Sequence, residues 1–464
     1  MLPDEILLAI FDFFVDQDVG QAPHLSGIPR KKDIETWQTL VHVCRRWRSV
    51  VFGSPHRLKL RLVCTVKTPA RDTLAVWPSL PLLIHDSLCF RESFDNIMAL
   101  LEHSDRVCQI NLGSVPSSHM EKLSAAMQEP FPELTLLVLL SRGTLPVLPN
   151  SFLGGSAPRL RKLWLEGIPF PGLPKLLLSA THLVYLILYD IPCSGYISPE
   201  AMLTALSTLT ALERLSLGFL SPQSSPDLES RLPLPSTRSL LPVLTYFWFQ
   251  GVSEYLDDLV ARIDAPQLNK LYITLFNQIV FDTPQFIEFI SRIPALKAFK
   301  KAHVAFDDSY AHVILSSKYG LLHVVIPCAE FNWQVSSVKQ ICTSSLPPLS
   351  MLEDLYIYEN PCSYPDWQEN IENTAWLELL HPFSSVKDLY LSRLFTPLIG
   401  SSLQELVVGR TTEALPILQN IFLEGFEPSE PVQEGVREFV AARQVSHNIT
   451  VSRWNNSYGE RALL

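Results

Sequence analysis

No stretch of this 464-residue chain stays apolar for the roughly 18 to 20 residues that a helical membrane crossing requires. The longest apolar runs, Leu134 to Leu140 and Leu241 to Val252, stop short, and the amino terminus lacks the basic-then-apolar layout of a signal peptide. The expectation is a soluble intracellular protein, cytoplasmic, nuclear or both, with no membrane partner. Charge is also scarce. Charged residues are 18% of the chain against 47% hydrophobic, which excludes wholesale disorder. The net charge of −10 argues against a broad grip on nucleic-acid phosphates, so no nucleic-acid partner is expected.

The signatures of chemistry are missing as well. There is no GxSxG elbow, phosphate-binding glycine loop, GxGxxG fingerprint, HExxH or zinc spacing, and Gly154-Gly155-Ser156 is too short to cradle phosphate. The eight cysteines, Cys44, Cys64, Cys89, Cys108, Cys193, Cys328, Cys342 and Cys362, form no CxxC pair and read as buried thiols in a reducing compartment. The twelve histidines are dispersed, and a lone one such as His182 or His323 reads as structural. No catalytic residue, metal ligand or cofactor is expected, and the chain reads as a non-enzyme.

What the chain has is leucine at short intervals. The pattern LxxLxL, with hydrophobic substitutes, starts at Val107, Leu134, Leu160, Leu183, Leu212, Leu244, Leu268, Leu296, Leu321, Leu352, Val386 and Leu403. The mean spacing of about 27 residues lies within the period of leucine-rich repeats. Between these strands, Ser198-Pro199 and Thr283-Pro284 each supply a polar cap and a first-turn proline ahead of an apolar stripe. Strand and helix in alternation predict a parallel sheet lined on one side by helices. The Ser/Pro-rich stretch 221–241 reads as a bulging loop.

Alternation along LxxLxL turns the last two leucines inward and the residue between them outward. Those outward residues are Asn111, Val138, Trp164, Ile187, Ser216, Trp248, Tyr272, Lys300, Val325, Tyr356, Tyr390 and Val407. Five of the twelve are aromatic where the 10% composition predicts about one, and Tyr189 and Tyr358 add two more to the same face. A row of exposed rings suits a protein-binding surface, so Trp164, Tyr189, Trp248, Tyr272, Tyr356, Tyr358 and Tyr390 are the candidate substrate anchors. The alternative is that aromatics simply favour strands, and that the terminal helix or the 221–241 loop folds over them. Lys162, Arg214 and Lys270 flank the early and middle rings, Asp354, Asp388 and Glu405 the late ones, predicting a face that runs from basic to acidic.

The first sixty residues differ. Residues 1–61 carry roughly +2 against roughly −12 for the rest. Pro3, Asp4 and Glu5 open a helix with Leu2, Ile6, Ile10 and Phe13 on one face. A polar loop from Asp16 to Lys32 follows, then helix again from near Ile34, with Leu40, Val43, Cys44, Trp47, Val50 and Val51 as its stripe and Arg45, Arg46 and Arg48 on solvated faces. Gly53 and Pro55 end it.

LPDEILLAIF followed by LVHVCRRWRSVVFGSP resembles the F-box, and the whole chain resembles an F-box protein with a divergent leucine-rich-repeat domain of the fungal type. The divergence is at the ninth repeat position, where Ile168, Ile191, Leu220 and Val252 stand in place of the usual Asn or Cys. The resemblance implies an α/β architecture: a three-helix F-box at 1–60, a solenoid at 61–425 with its sheet concave and its helices convex, a closing helix and strand at 426–455, and a tail at 456–464. It implies docking on a SKP-type adaptor, and through it a cullin, by Leu2, Pro3, Ile6, Ile10, Leu40, Val43, Cys44 and Trp47. The implied role is substrate recognition in a ubiquitin ligase, with a non-degradative interaction scaffold as the alternative.

Overall fold

A computed structural model describes residues 2–16, 36–55, 57–65, 67–77, 79–86, 94–141, 143, 145–222, 238–276, 283–347, 349–360, 372–409, 414–425, 433–443 and 449–454. The expected loop over 17–32, Ile34, most of the 221–241 stretch and the tail 456–464 lie outside the described residues. The chain divides into two compact units, Met1–Leu212 and Glu213–Leu464.

The first unit begins with three helices, α1 (Asp4–Asp16), α2 (Thr36–Val41) and α3 (Arg45–Gly53). The stripe expected on one helix from Ile34 onward is broken at His42–Cys44, where Cys44 turns extended and its Sγ accepts the N–H of Trp47 at 3.5 Å to cap α3. Six parallel strands follow in chain order: β1 (Leu62–Cys64), β2 (Leu82–Asp86), β3 (Val107–Val115), β4 (Leu136–Ser141), β5 (Lys162–Glu166) and β6 (Tyr185–Ile191). Helices α4 (Ala70–Val76), α5 (Phe94–Leu101), α6 (Ser117–Ala126), α7 (Leu173–Leu177) and α8 (Pro199–Leu206) alternate with them. Leu137, Leu163 and Leu186 lie side by side across β4, β5 and β6 and are fully buried, so one leucine per repeat forms a continuous core row. Trp37 ties the helices to the first repeat, its Nε1 donating to the Arg61 carbonyl at 3.1 Å and its ring lying 5.3 Å from that of Trp77.

The second unit contains β7 (Arg214–Phe219), β8 (Ser239–Leu240), β9 (Tyr246–Gly251), α9 (Ser253–Val260), β10 (Ile263–Asp264), β11 (Lys270–Leu275) and α10 (Pro284–Arg292). Then come β12 (Lys301–Phe306), β13 (Tyr310–Ser316), β14 (Leu321–Pro327), α11 (Phe331–Gln340), β15 (Asp354–Glu359), α12 (Asn373–Leu380) and β16 (Asp388–Leu391). It closes with α13 (Phe395–Gly409), β17 (Asn420–Glu424), α14 (Glu434–Arg443) and β18 (Thr450–Trp454). The main sheet runs β7-β9-β11-β14-β13-β12-β15-β16-β17-β18, and β8 and β10 form a separate parallel pair.

This order breaks the simple repeat. From β11 the chain lays down β12 three places along the sheet and returns through β13 and β14, so β13 is antiparallel to both neighbours while the other pairings among the described residues of this unit are parallel. Two tight hairpins permit this. In the first, Asp307 Oδ1 accepts the N–H groups of Ser309 and Tyr310 at 2.9 and 2.7 Å. In the second, Gly320 leaves no room for a side chain, since a Cβ there would lie 2.1 Å from the Ala295 carbonyl oxygen.

Four sequence assignments differ in the structure. The segment at Leu296 is a short 3₁₀ turn, Pro294–Leu296, and its strand starts only at Lys301, so His303 takes the outward place expected for Lys300. At Leu321 the register moves by two, because Leu271 pairs with Leu322, and His323 takes the place expected for Val325. The segment at Leu403 lies within α13, where Phe395, Ile399 and Leu403 form a buried stripe at helical spacing, so position 407 is on a helix. The strand of that repeat is β17, on LQNIFL from Leu418, and β1 and β2 are two further repeat strands ahead of Val107.

Candidate functional site

Two surfaces hold the residues singled out by the sequence. On α1, Leu7 and Phe11 turn inward, and the Phe11 ring meets that of Trp47 edge-on at 4.8 Å. The other stripe of the same helix is open: Leu2, Ile6, Ile10, Phe13 and Phe14 are 45 to 70% exposed, and Val43 is 58% exposed. The Arg46 guanidinium holds the start of α1, pairing with Asp4 at 2.6 Å and donating to the Leu2 carbonyl. Arg48 Nε donates to the Val41 carbonyl at 3.0 Å, so two of the three arginines read as solvated have structural partners. Of the eight expected docking residues, Leu2, Pro3, Ile6, Ile10, Val43 and Cys44 are exposed. Leu40 is buried in the subdomain's own core and Trp47 is half-buried against Phe11, so these two shape the surface from beneath.

The second surface is the sheet face that carries the outward residues. In the first unit, register places His85, Asn111, Val138, Trp164 and Ile187 in one row. Trp164 and Tyr189 are half-buried, their rings edge-on at 6.1 Å, with Lys162 Nζ 5.5 Å above the indole.

In the second unit the equivalent row is Ser216, Trp248, Tyr272, His323, Ile314, His303, Tyr356, Tyr390, Phe422 and Ser452. Trp248 and Tyr272 are half-buried. The Arg214 guanidinium lies 3.8 Å over Tyr246, whose ring is 5.3 Å from Tyr272. Trp248 lies against β7, so close that a Cβ on Gly218 would fall 2.6 Å from its Cζ3.

The later part of this row is closed by the chain itself. Strands about 4.8 Å apart bring equivalent rings near stacking distance. His303, Tyr356, Tyr390 and Phe422 accordingly stack in series at 4.3, 4.1 and 4.4 Å. Trp454 on β18 folds back over them, 6.0 Å from Tyr356, 6.5 Å from Tyr358 and 5.7 Å from Tyr390. Tyr356 and Tyr358 are therefore 3% and 0% exposed and belong to a core cluster, which corrects the expectation that they are anchors. Burial pushes the Tyr358 phenol up to about 12, and burial followed by the charge of Lys301 pulls His303 down to about 4.

The carboxylates of the expected acidic end are engaged within the chain. Asp354 pairs with Lys301 at 3.4 Å, Asp388 accepts from Asn420 Nδ2 at 2.6 Å, and Glu405 lies on α13 and accepts from Asn373. What the arrangement offers is a ring-lined floor with cationic neighbours. Among the described residues no group of His, Cys, Asp and Glu is placed to hold a metal ion, and no helix is long and apolar enough to cross a membrane.

The same face carries a linked pair of histidines, His312 and His323, that the repeat pattern does not mark. His323 is solitary in the sequence because its partner comes from the antiparallel strand β13, which no repeat period announces.

No protein-family model matches the chain, and no curated protein matches it. Among solved structures it is similar to the leucine-rich repeat-containing protein LegL7 from Legionella pneumophila, at 12% identity and a TM-score of 0.26, over 83% of this chain and 98% of that one. A likeness that weak carries no argument here, and the repeat architecture rests on the strand and helix order described above.

Proposed function

We propose that this chain is the substrate-recognition subunit of a SKP-cullin-F-box ubiquitin ligase, with α1 to α3 docking on the adaptor and the ring-bearing face of the repeats holding a protein substrate. The observation that carries this reading is the open apolar stripe Leu2, Ile6, Ile10, Phe13 and Phe14 with Val43, on a subdomain whose core is already filled by Leu7, Phe11, Leu40, Val50 and Val51. Helices that served only to close the repeats would turn such a stripe inward, and an apolar patch left open on a helix calls for a partner.

The role is positioning, not chemistry: one surface fixes the chain to the adaptor and the other holds a lysine of the substrate near the charged conjugating enzyme. The chain itself needs no cofactor, metal, nucleic acid or membrane for this, and works in the cytoplasm or nucleus. A scaffold that assembles proteins without degradation uses the same surfaces and differs in the fate of what is bound.

Ile6→Asp combined with Ile10→Asp tests the docking face while leaving the core of the subdomain alone. Loss of adaptor and cullin on copurification, with an unchanged circular-dichroism spectrum, is the expected result; unchanged adaptor affinity would overturn the proposal. Bound proteins that accumulate in cells carrying the double variant favour the ligase, and bound proteins at constant level favour the scaffold.

A further inference from the structure

The ring-bearing face of the second unit is uneven in charge. Register sets Arg214, Tyr246 and Lys270 side by side at the start of β7, β9 and β11, with Ser216, Trp248 and Tyr272 as the next outward row. The outward positions of β7, β9, β11 and β14 include these two cations and no carboxylate. Among the described residues neither Arg214 nor Lys270 has an ion-pair partner, whereas Lys301, further along the same row, is paired with Asp354 at 3.4 Å. Two positive charges are left for something outside the unit.

These groups are reachable from solvent. Lys270 is exposed, and Arg214, Tyr246, Trp248 and Tyr272 each keep part of their surface in water, unlike Tyr356 in the equivalent register, which Trp454 seals. The Arg214 guanidinium lies 3.8 Å over the Tyr246 ring, and that ring is 5.3 Å from Tyr272. Stacking fixes the guanidinium in place but does not cancel its charge, because a ring offers a cation only a quadrupole where a carboxylate offers a full opposite charge.

We propose that this part of the face takes an acidic linear segment of a protein, running across the strands with one carboxylate on Arg214, a second on Lys270 and an apolar side chain on the floor made by Trp248 and Tyr272. This rests on the protein-binding reading of the face and names the class of segment it holds. Spacing selects the kind of anion. Arg214 and Lys270 stand two strands apart, about 10 Å at the usual strand separation, with Tyr246 between them. An extended segment covers that distance in about three residues, so carboxylates three positions apart meet one cation each. A single phosphate would have to draw Lys270 across to a guanidinium that the Tyr246 stack holds in place.

The rest of the row sets the limits of the site. Beyond Lys270 it continues through Leu321, Ser316 and the paired Lys301 to Asp354 and Asp388, so an acidic segment gains no further cation past β11. Nucleic acid fits less well for the same reason. A phosphate backbone is held by many cations along its path, and this row offers two before it turns acidic.

The test is selection of a phage-displayed random peptide library against the immobilised full chain, repeated with Lys270→Glu, Arg214→Gln and Trp248→Ala, each checked for folding by circular dichroism. Lys270 is exposed, so Lys270→Glu keeps the fold even if the other two do not. The native chain should enrich peptides with two acidic residues three positions apart and an apolar residue beside them. Their amide counterparts, with Asn and Gln for Asp and Glu, should bind about three- to tenfold more weakly by fluorescence polarisation, and the difference should shrink as salt rises. Lys270→Glu should abolish the acidic preference, and Arg214→Gln should remove it at one of the two positions. Enriched peptides that carry no acid yet need Trp248 overturn this inference and leave the protein-binding reading standing. Peptides indifferent to all three variants remove both, as does the absence of any enrichment. Tighter binding of a peptide with a single phosphoserine, or of oligothymidylate, than of the diacidic peptide overturns the inference as well.

Discussion

Asp257 Oδ1 on α9 accepts the backbone N–H of Phe286 at 2.9 Å, so the first turn of α10 is capped by the helix of the preceding repeat. The adjacent Thr283, which the sequence marks as the cap, makes no side-chain cap bond. Asp257 is 6% exposed, and its loss leaves a buried N–H unpaired. Asp257→Ala should therefore cost about 1 to 3 kcal/mol, and Thr283→Val less than about 1 kcal/mol. Guanidinium unfolding of the full chain, followed by circular dichroism, compares the two; equal midpoints would show that the cap is not shared between repeats.

Trp454 closes the aromatic cluster from β18. Trp454→Ala should destabilise the second unit by roughly 3 to 5 kcal/mol, the cost of truncating a large buried ring. It should also open Tyr358 to water, so that its phenol titrates nearer 10 than about 12. A folded pKa above the unfolded one means stability that is complete below pH 10 and lost as pH rises towards 12. Ultraviolet titration of tyrosinate in the variant and in the native chain reads the shift directly.

His303 works in the opposite direction on the pH axis. Its folded pKa of about 4 lies below the ordinary 6.5, so the unfolded chain binds the proton first and stability falls as pH drops from 6.5 towards 4. The loss is on the order of 3 kcal/mol for a shift of this size. His303→Phe keeps a flat ring against Tyr356 and removes the proton site, so the difference in unfolding midpoint between pH 7 and pH 4.5 should shrink. An unchanged difference would mean that the acid sensitivity comes from elsewhere, with His323 the next residue to replace.

Gly218 and Trp248 make a coupled pair. Adding a methyl group at Gly218 drives it into the indole, so Gly218→Ala should cost about 1 to 3 kcal/mol in the native chain and close to nothing in Trp248→Ala. A double-mutant cycle on unfolding free energies checks this. Equal costs in both backgrounds would place the strain on the backbone and not on the ring.

The repeat and its inward leucines were legible because burial selects residue type at fixed spacing, and Leu163, Leu186 and Leu271 stand where the LxxLxL pattern puts them. The stripe of α1 was legible for the same reason: Leu2, Ile6 and Ile10 recur at helical intervals, whatever they finally touch. The pattern is ambiguous where one string satisfies two periods, as at Leu403, whose helix is signalled only by the 17-residue gap before it. LQNIFL at Leu418 restores a spacing of 32 residues from Val386.

What the sequence alone determined is therefore the local alternation, which face of each strand or helix is apolar, and the separateness of the first sixty residues. Tertiary structure decided which outward residues remain available. Trp248 and Tyr272 stay half-open, while Tyr356, in the equivalent register, and Tyr358 beside it are sealed by Trp454 arriving on the last strand, β18. The His312–His323 contact has the same origin as that burial, because the antiparallel β13 brings together residues that no repeat period relates. The physical reason is one of range. Alternation is set by neighbours within a turn or a strand, whereas the cover over a sheet face and the partner of a side chain depend on segments distant in sequence, and only the packed chain brings them into contact.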